Sequence, residues 1–162
     1  MHKRLWTLIY IVSIGVILYI ATSAWPYYTT PYAERPFNPL HSAFKPGGSI
    51  GHGLGIIGSL MMIFMLAYSL RKRIRAFYRW GRLSTCLNIH IYFGIIGPLL
   101  VVLHSSFKLN GIISISFWSM LIVMFSGILG RYLYLKIPRD FSGEELSLQK
   151  VQKEAEQLAQ QL

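Results

Sequence analysis

Four apolar runs divide the chain, roughly Leu5 to Trp25, Ile50 to Leu70, Leu87 to Phe107 and Ile112 to Leu135. At 1.5 Å of rise per residue each is long enough to cross about 30 Å of hydrocarbon, so the pattern predicts four transmembrane helices. The first run follows His2-Lys3-Arg4 and ends near the small residues Ala21 to Ala24, the outline of a signal peptide. Its apolar region exceeds the usual 7 to 15 residues, which favours an uncleaved anchor helix. After the fourth run the period changes. Ser142 and Glu145 have the spacing of a capping box, and Leu148, Val151, Ala155, Leu158 and Leu162 recur at intervals of three and four, the narrow seam of an amphipathic helix. The expected fold is therefore all-α, an integral membrane four-helix bundle with a cytoplasmic C-terminal amphipathic helix. Its expected parts are an anchor helix over 1–25, an extracytoplasmic loop over 26–49, a three-helix membrane core over 50–139 and the amphipathic helix over 140–162.

Charge sets the orientation. Of 162 residues 53% are hydrophobic, the mean hydropathy is +0.44 and the formal net charge is +10. Such a charge suggests nucleic acid, but the basic residues lie in short clusters between spanning runs, where topology accounts for them. Arg71, Lys72, Arg73, Arg75, Arg79 and Arg82 crowd the second connection, whereas the third carries only Lys108. Positive charge is retained in the cytoplasm, which places both termini inside and the connection from Pro26 to Ser49 outside, in a bacterial inner membrane. That outer connection is rich in proline and aromatics and reads as an ordered cap, with Trp25, Tyr27, Tyr28 and Tyr32 suited to the interfacial belt.

The chemistry on offer is imidazole. Cys86 is the single cysteine, so no intramolecular disulfide, thiolate zinc site or covalent haem motif is available. Acidic residues are absent from all four runs, which removes the carboxylate relay of a proton pump or ion-coupled transporter. Ionisable residues in a span are functional by default, and the second and third runs hold His52, His90 and His104. His90 and His104 are fourteen residues apart, which returns to within about 40° of one helix face and separates them by about 21 Å along the axis. Because the second and third helices run antiparallel, His52 comes level with His104. Two facing imidazoles suit the axial positions of a haem iron; zinc wants three or four ligands. Gly51, Gly53, Gly55, Gly58, Gly94 and Gly97 would admit a macrocycle, although membrane helices also pack through small residues. Gly53 to Gly58 also form a GxGxxG, which carries nothing inside a membrane span. Pro98 is expected to kink the third helix.

The residues "NIH" and "VLH" on one span, facing "GHGLGIIG" on the one before it, resemble the membrane cores of ferric-reductase-like proteins and dihaem cytochromes b, over about Gly47 to Arg139. The resemblance implies helices that carry electrons across the membrane through haem b. It departs where those proteins carry a second histidine on the first ligand helix: thirteen and fourteen residues after His52 stand Met65 and Leu66. One haem is expected between His52 and His104. A second at His90 is open, alone or with His2, Met61, Met62, Met65 or a residue of another subunit as partner. His41 could cap or complete the outer site, and Lys45 and Lys108 could pair with propionates outside, as Arg71, Arg73 and Arg75 could inside.

The resulting expectation is a cytochrome b subunit of an oxidoreductase, passing electrons to or from quinone, a cytochrome c or a cytoplasmic reductase, since the chain carries no flavin or nucleotide fingerprint of its own. Its surroundings would be membrane lipid and partner subunits, with the C-terminal helix docking a partner or a second copy. The alternative is a cofactor-free membrane anchor or assembly subunit whose histidines bridge helices by hydrogen bonds.

Overall fold

A computed structural model describes residues 2–74, 83–108, 111–136, 152–153 and 156–159. Among them the protein is all-α and contains no strand. Among the described residues four helices are long and apolar enough to cross a membrane, as the hydropathy pattern predicts. They are α1 (His2–Ser23), α4 (Ser49–Arg73), α5 (Leu83–His104) and α6 (Ile113–Lys136). Between α1 and α4 lie the short helices α2 (Trp25–Thr29) and α3 (His41–Phe44), with a 3-10 turn at Arg35–Phe37 between them. The chain divides into two compact units, Met1–Met124 and Phe125–Leu162, so the boundary falls inside α6. Of the expected C-terminal amphipathic helix only 152–153 and 156–159 are described; they are helical and exposed. Most of the basic connection, 75–82, lies outside the described residues.

Proline and hydroxyl side chains shape the segment between α1 and α4. Pro26 and Pro36 sit in the first turns of α2 and the 3-10 element, where a missing N–H leaves no bond unmade. Thr29 and Thr30 hydroxyls donate to carbonyls of Trp25 and Pro26, and Asn38 Oδ1 accepts from the Leu40 amide at 2.9 Å. The segment is thus an ordered cap, and it buries Tyr27, Tyr28, Phe44 and Arg35. This changes the aromatic expectation. Trp25 and Tyr32 are exposed, but Tyr27 and Tyr28 belong to the core, because each hydroxyl finds a partner there: His41 Nδ1 at 3.3 Å for Tyr27 and the Leu103 carbonyl at 3.2 Å for Tyr28.

The core of the first unit lies at this cap end, where Ala24, Tyr27, Tyr28 and Phe44 pack with Leu54 of α4 and Ile96, Leu100 and Leu103 of α5. Helices α4 and α5 meet along their length, and glycines set how closely. A Cβ on Gly58 would lie 2.9 Å from the Gly97 carbonyl oxygen, and one on Gly97 would lie 3.2 Å from that of Gly58. Backbone therefore touches backbone at this crossing, the close approach that small residues give membrane helices without a hydrophobic driving force. Helix α5 runs unbroken through the buried Pro98. Helix α1 packs on α5 through Trp6 and Tyr10, whose rings meet Tyr92, and through a hydrogen bond between Ser13 and the Tyr92 hydroxyl. Leu5, Leu8, Ile11 and Val12 of α1 are exposed, as an acyl-chain environment permits.

A candidate haem-binding groove at the cap end

Two stripes of α4 matter, and they share one residue. The first, Gly51, Leu54, Gly55, Gly58 and Met62, follows the three-and-four spacing of a helix face and meets α5 or the cap. The second, His52, Gly55, Ile56, Ser59, Leu60 and Ile63, lines a cavity of about 440 Å³ together with His104 of α5. Gly55 belongs to both. The structure therefore brings His52 and His104 to one cavity, as their level in antiparallel helices predicts. It places that cavity beside the α4–α5 contact and not within it, because the glycine crossing leaves no gap between the two helices.

His104 is held on two sides. Its Nδ1 lies 2.8 Å from the Gly51 carbonyl oxygen; since a carbonyl only accepts, Nδ1 carries the hydrogen and donates it. In the neutral ring that bond fixes the tautomer and leaves the lone pair on Nε2, the state in which an imidazole ligates a metal. The ring also lies flat against Gly55, whose hypothetical Cβ would be 2.6 Å from Nδ1 and 2.7 Å from Cε1. Gly51 is required for a separate reason: a Cβ there would collide with the Lys45 carbonyl oxygen. Two of the glycines around His52 thus have assigned contacts at the site, while Gly53 has open space around it.

His90 repeats the motif at the other end of α5. Its Nδ1 donates to the Met65 carbonyl at 3.1 Å, and its ring packs against Tyr68 at 5.1 Å between centroids. Both imidazoles of α5 hence face α4, and each is tied to α4 backbone. Met61, Met62 and Met65 lie against Gly94 and Gly97, where flexible thioether side chains fill the seam. His41 does not line the cavity; it hydrogen-bonds Tyr27 in the cap. Lys45 and Lys108 are exposed near the cap end. Arg71 is buried, with Nη1 3.4 Å from Cys86 Sγ, and Arg73 is exposed. The side chain of His2, and Arg75, lie outside the described residues.

One residue has no signature in the sequence. Arg35 is 7% exposed and donates from Nε to the Thr30 carbonyl at 3.0 Å, from Nη1 to Ser106 at 2.8 Å and from Nη2 to Tyr28 at 2.7 Å. Its guanidinium lies over the rings of Tyr32 and Tyr27, at 4.1 and 5.3 Å. Only its isolation as a cation among prolines and aromatics could have marked it.

The donor set suits an axially ligated macrocycle. Among the described residues no three His, Cys, Asp or Glu side chains converge, so a zinc-type cluster has no ligand set there, whereas two imidazoles share the groove. Its walls are aliphatic apart from Ser59 and the histidines, and Gly55 and Ser59 keep the floor low. Comparison with family models, with curated proteins and with solved structures finds no match to this chain.

Proposed function

We propose that this chain is a membrane cytochrome b subunit, holding one haem b in the groove beside α4 with His52 and His104 as axial ligands, and passing electrons within a larger oxidoreductase. The observation that carries the reading is that these two imidazoles line one apolar cavity, with the His104 Nδ1–H bonded to Gly51 so that Nε2 is available. Haem bound there would supply a one-electron couple. The chain's own contribution is positional. His104 is oriented by Gly51 and Gly55, Ile56, Leu60 and Ile63 give the groove apolar walls, and Lys45 and Lys108 are cations at the same end for propionates. On this reading the cap faces outward, the six basic residues from Arg71 to Arg82 face the cytoplasm of a bacterial cell, and the electron donor and acceptor are bound by partner subunits.

Pyridine haemochrome analysis with protein quantitation tests it. One haem b per chain is expected, and His52→Ala or His104→Ala should convert a low-spin centre to high-spin or remove it while the protein still inserts. A colourless protein from cells with ample haem would overturn the reading. It would favour a membrane anchor in which His90 and His104 serve only as bridges to α4 carbonyls, a role that their hydrogen bonds already describe.

A further inference from the structure

We propose that Arg35 is the positioning residue of the groove, acting on His104 through the strained turn that follows it. The inference rests on the haem reading only for what His104 then holds. His104 is the last residue of α5, and helix ends fray unless something holds their free carbonyls. After one intervening residue, Ser106 and Phe107 both adopt positive φ, 50° and 57°, a left-handed conformation that costs energy for residues other than glycine and persists where the surroundings enforce it.

The cap enforces it with four groups. Arg35 Nη1 donates to the Ser106 carbonyl, the Tyr32 hydroxyl donates to that of Phe107, and the Tyr28 hydroxyl donates to that of Leu103. The Ser106 hydroxyl donates to the Phe44 carbonyl at 2.9 Å. Arg35 joins the others: its remaining bonds hold the Tyr28 and Thr30 carbonyls, and its planar cation stacks on Tyr32. Its only acidic neighbour in sequence is Glu34, and among the described residues no carboxylate pairs with it. A buried cation so placed is satisfied by three backbone carbonyls, two at the C-terminal end of α2 and one in the turn after α5. Lysine keeps the charge but cannot offer the three-armed fork. Arg35 therefore decides whether the turn stays closed, and the turn decides whether the His104 ring lies against Gly55 with Nδ1 on Gly51.

The test reads the imidazole itself. Solid-state ¹⁵N NMR of histidine-labelled protein prepared without haem, since iron on Nε2 would by itself fix the Nδ1–H form, with His104→Gln for assignment, should show His104 wholly in the Nδ1–H form in the wild type. In Arg35→Lys it should become a mixture in which the Nε2–H form of unconstrained imidazole takes a substantial share. Adding Phe107→Gly, which removes one strained φ, should restore most of the Nδ1–H signal. Where haem is bound, the Arg35→Lys centre should show a broadened low-spin electron paramagnetic resonance signal that the second substitution sharpens. An unchanged tautomer in folded, haem-free Arg35→Lys overturns the proposal. If that variant does not fold, recovery of fold and Nδ1–H signal in the double variant supports the proposal, and failure of both overturns it. A haem-free wild type with the expected tautomer response defeats the haem reading and leaves the positioning role standing.

Discussion

Replacing Gly55 by alanine is the most direct trial of the site's geometry. The new Cβ would lie 2.6 Å from His104 Nδ1, 2.7 Å from Cε1 and 2.8 Å from Cγ, whereas ordinary contact begins near 3.4 Å. Helix backbone on the α4 side cannot yield, so the ring must retreat by about 0.6 to 0.8 Å. Retreat of that size takes the 2.8 Å bond to Gly51 to the limit of a hydrogen bond. Overpacking of this kind costs about 1 to 3 kcal/mol, and a lost hydrogen bond between membrane helices about 0.6 more. Alanine returns about 1 kcal/mol through its better helix propensity, which leaves a net loss of about 0.6 to 2.6 kcal/mol.

Gly53 supplies the control, since a Cβ there meets nothing within 4 Å. Gly53→Ala should be neutral or stabilising by up to about 1 kcal/mol. Reversible unfolding in mixed micelles compares the two variants, and haem retention after dilution compares their sites. Equal stability and equal haem retention for Gly55→Ala and Gly53→Ala would refute both the contact and the part it plays in holding His104.

Gly58→Ala should weaken the α4–α5 contact by about 1 to 3 kcal/mol through its clash with the Gly97 carbonyl, yet leave the spectrum of any haem that remains unshifted, since Gly58 does not line the groove. His90→Ala should lower stability by about 0.6 kcal/mol through loss of its bond to Met65 and leave haem per protein unchanged; a halving of haem content would assign a second haem to His90. The Tyr28 phenol is pushed up to about 12 by burial and secondarily by Tyr27, against the opposing pull of Arg35. The folded protein thus holds this proton more tightly than the unfolded chain does, so its stabilisation is complete below about pH 10 and is lost as pH rises towards about 12. Unfolding midpoints measured from pH 9 to 12 should fall over that window, and Tyr28→Phe should flatten the fall. Cysteine labelling at Ser42 from outside the cell, with none at Arg79, is expected from the charge distribution; the opposite pattern would invert the topology.

Lipid makes the long helices legible. Every backbone polar group in hydrocarbon must be satisfied within its own helix, so an apolar run of twenty residues has few alternatives, and the four spans follow. Histidine spacing was legible for a similar reason, because fourteen residues return to one face, and both α5 imidazoles do meet α4. The position of the groove was not. Six glycines of similar sequence context have different roles, and only tertiary packing separates Gly55, pressed against His104, from Gly53, which faces open space. Arg35 was equally hidden. Its partner Ser106 is 71 residues away, and neither residue belongs to a periodic pattern from which the pairing could be read.

On the proposed reading, the spacing along the α4–α5 seam bears on whether one haem site or two could form. Gly51 and Met65 lie seven residues to either side of Gly58, and His104 and His90 lie seven to either side of Gly97. Seven residues are nearly two turns, so all six positions stay close to one seam, with a glycine crossing at its centre and an imidazole–carbonyl bond at each end. The two ends are alike in hydrogen bonding and unlike in what surrounds the ring. At the cap end Gly55 and Ser59 open the groove, His52 projects into it one residue off the seam, and Arg35 braces the turn behind His104. At the other end Met65 fills the space against Gly94 and the tilted ring of Tyr68 packs on His90. Small residues and a second imidazole thus accompany His104, while bulky packing residues accompany His90. The asymmetry favours a ligand site at the cap end and a helix-bridging role for His90.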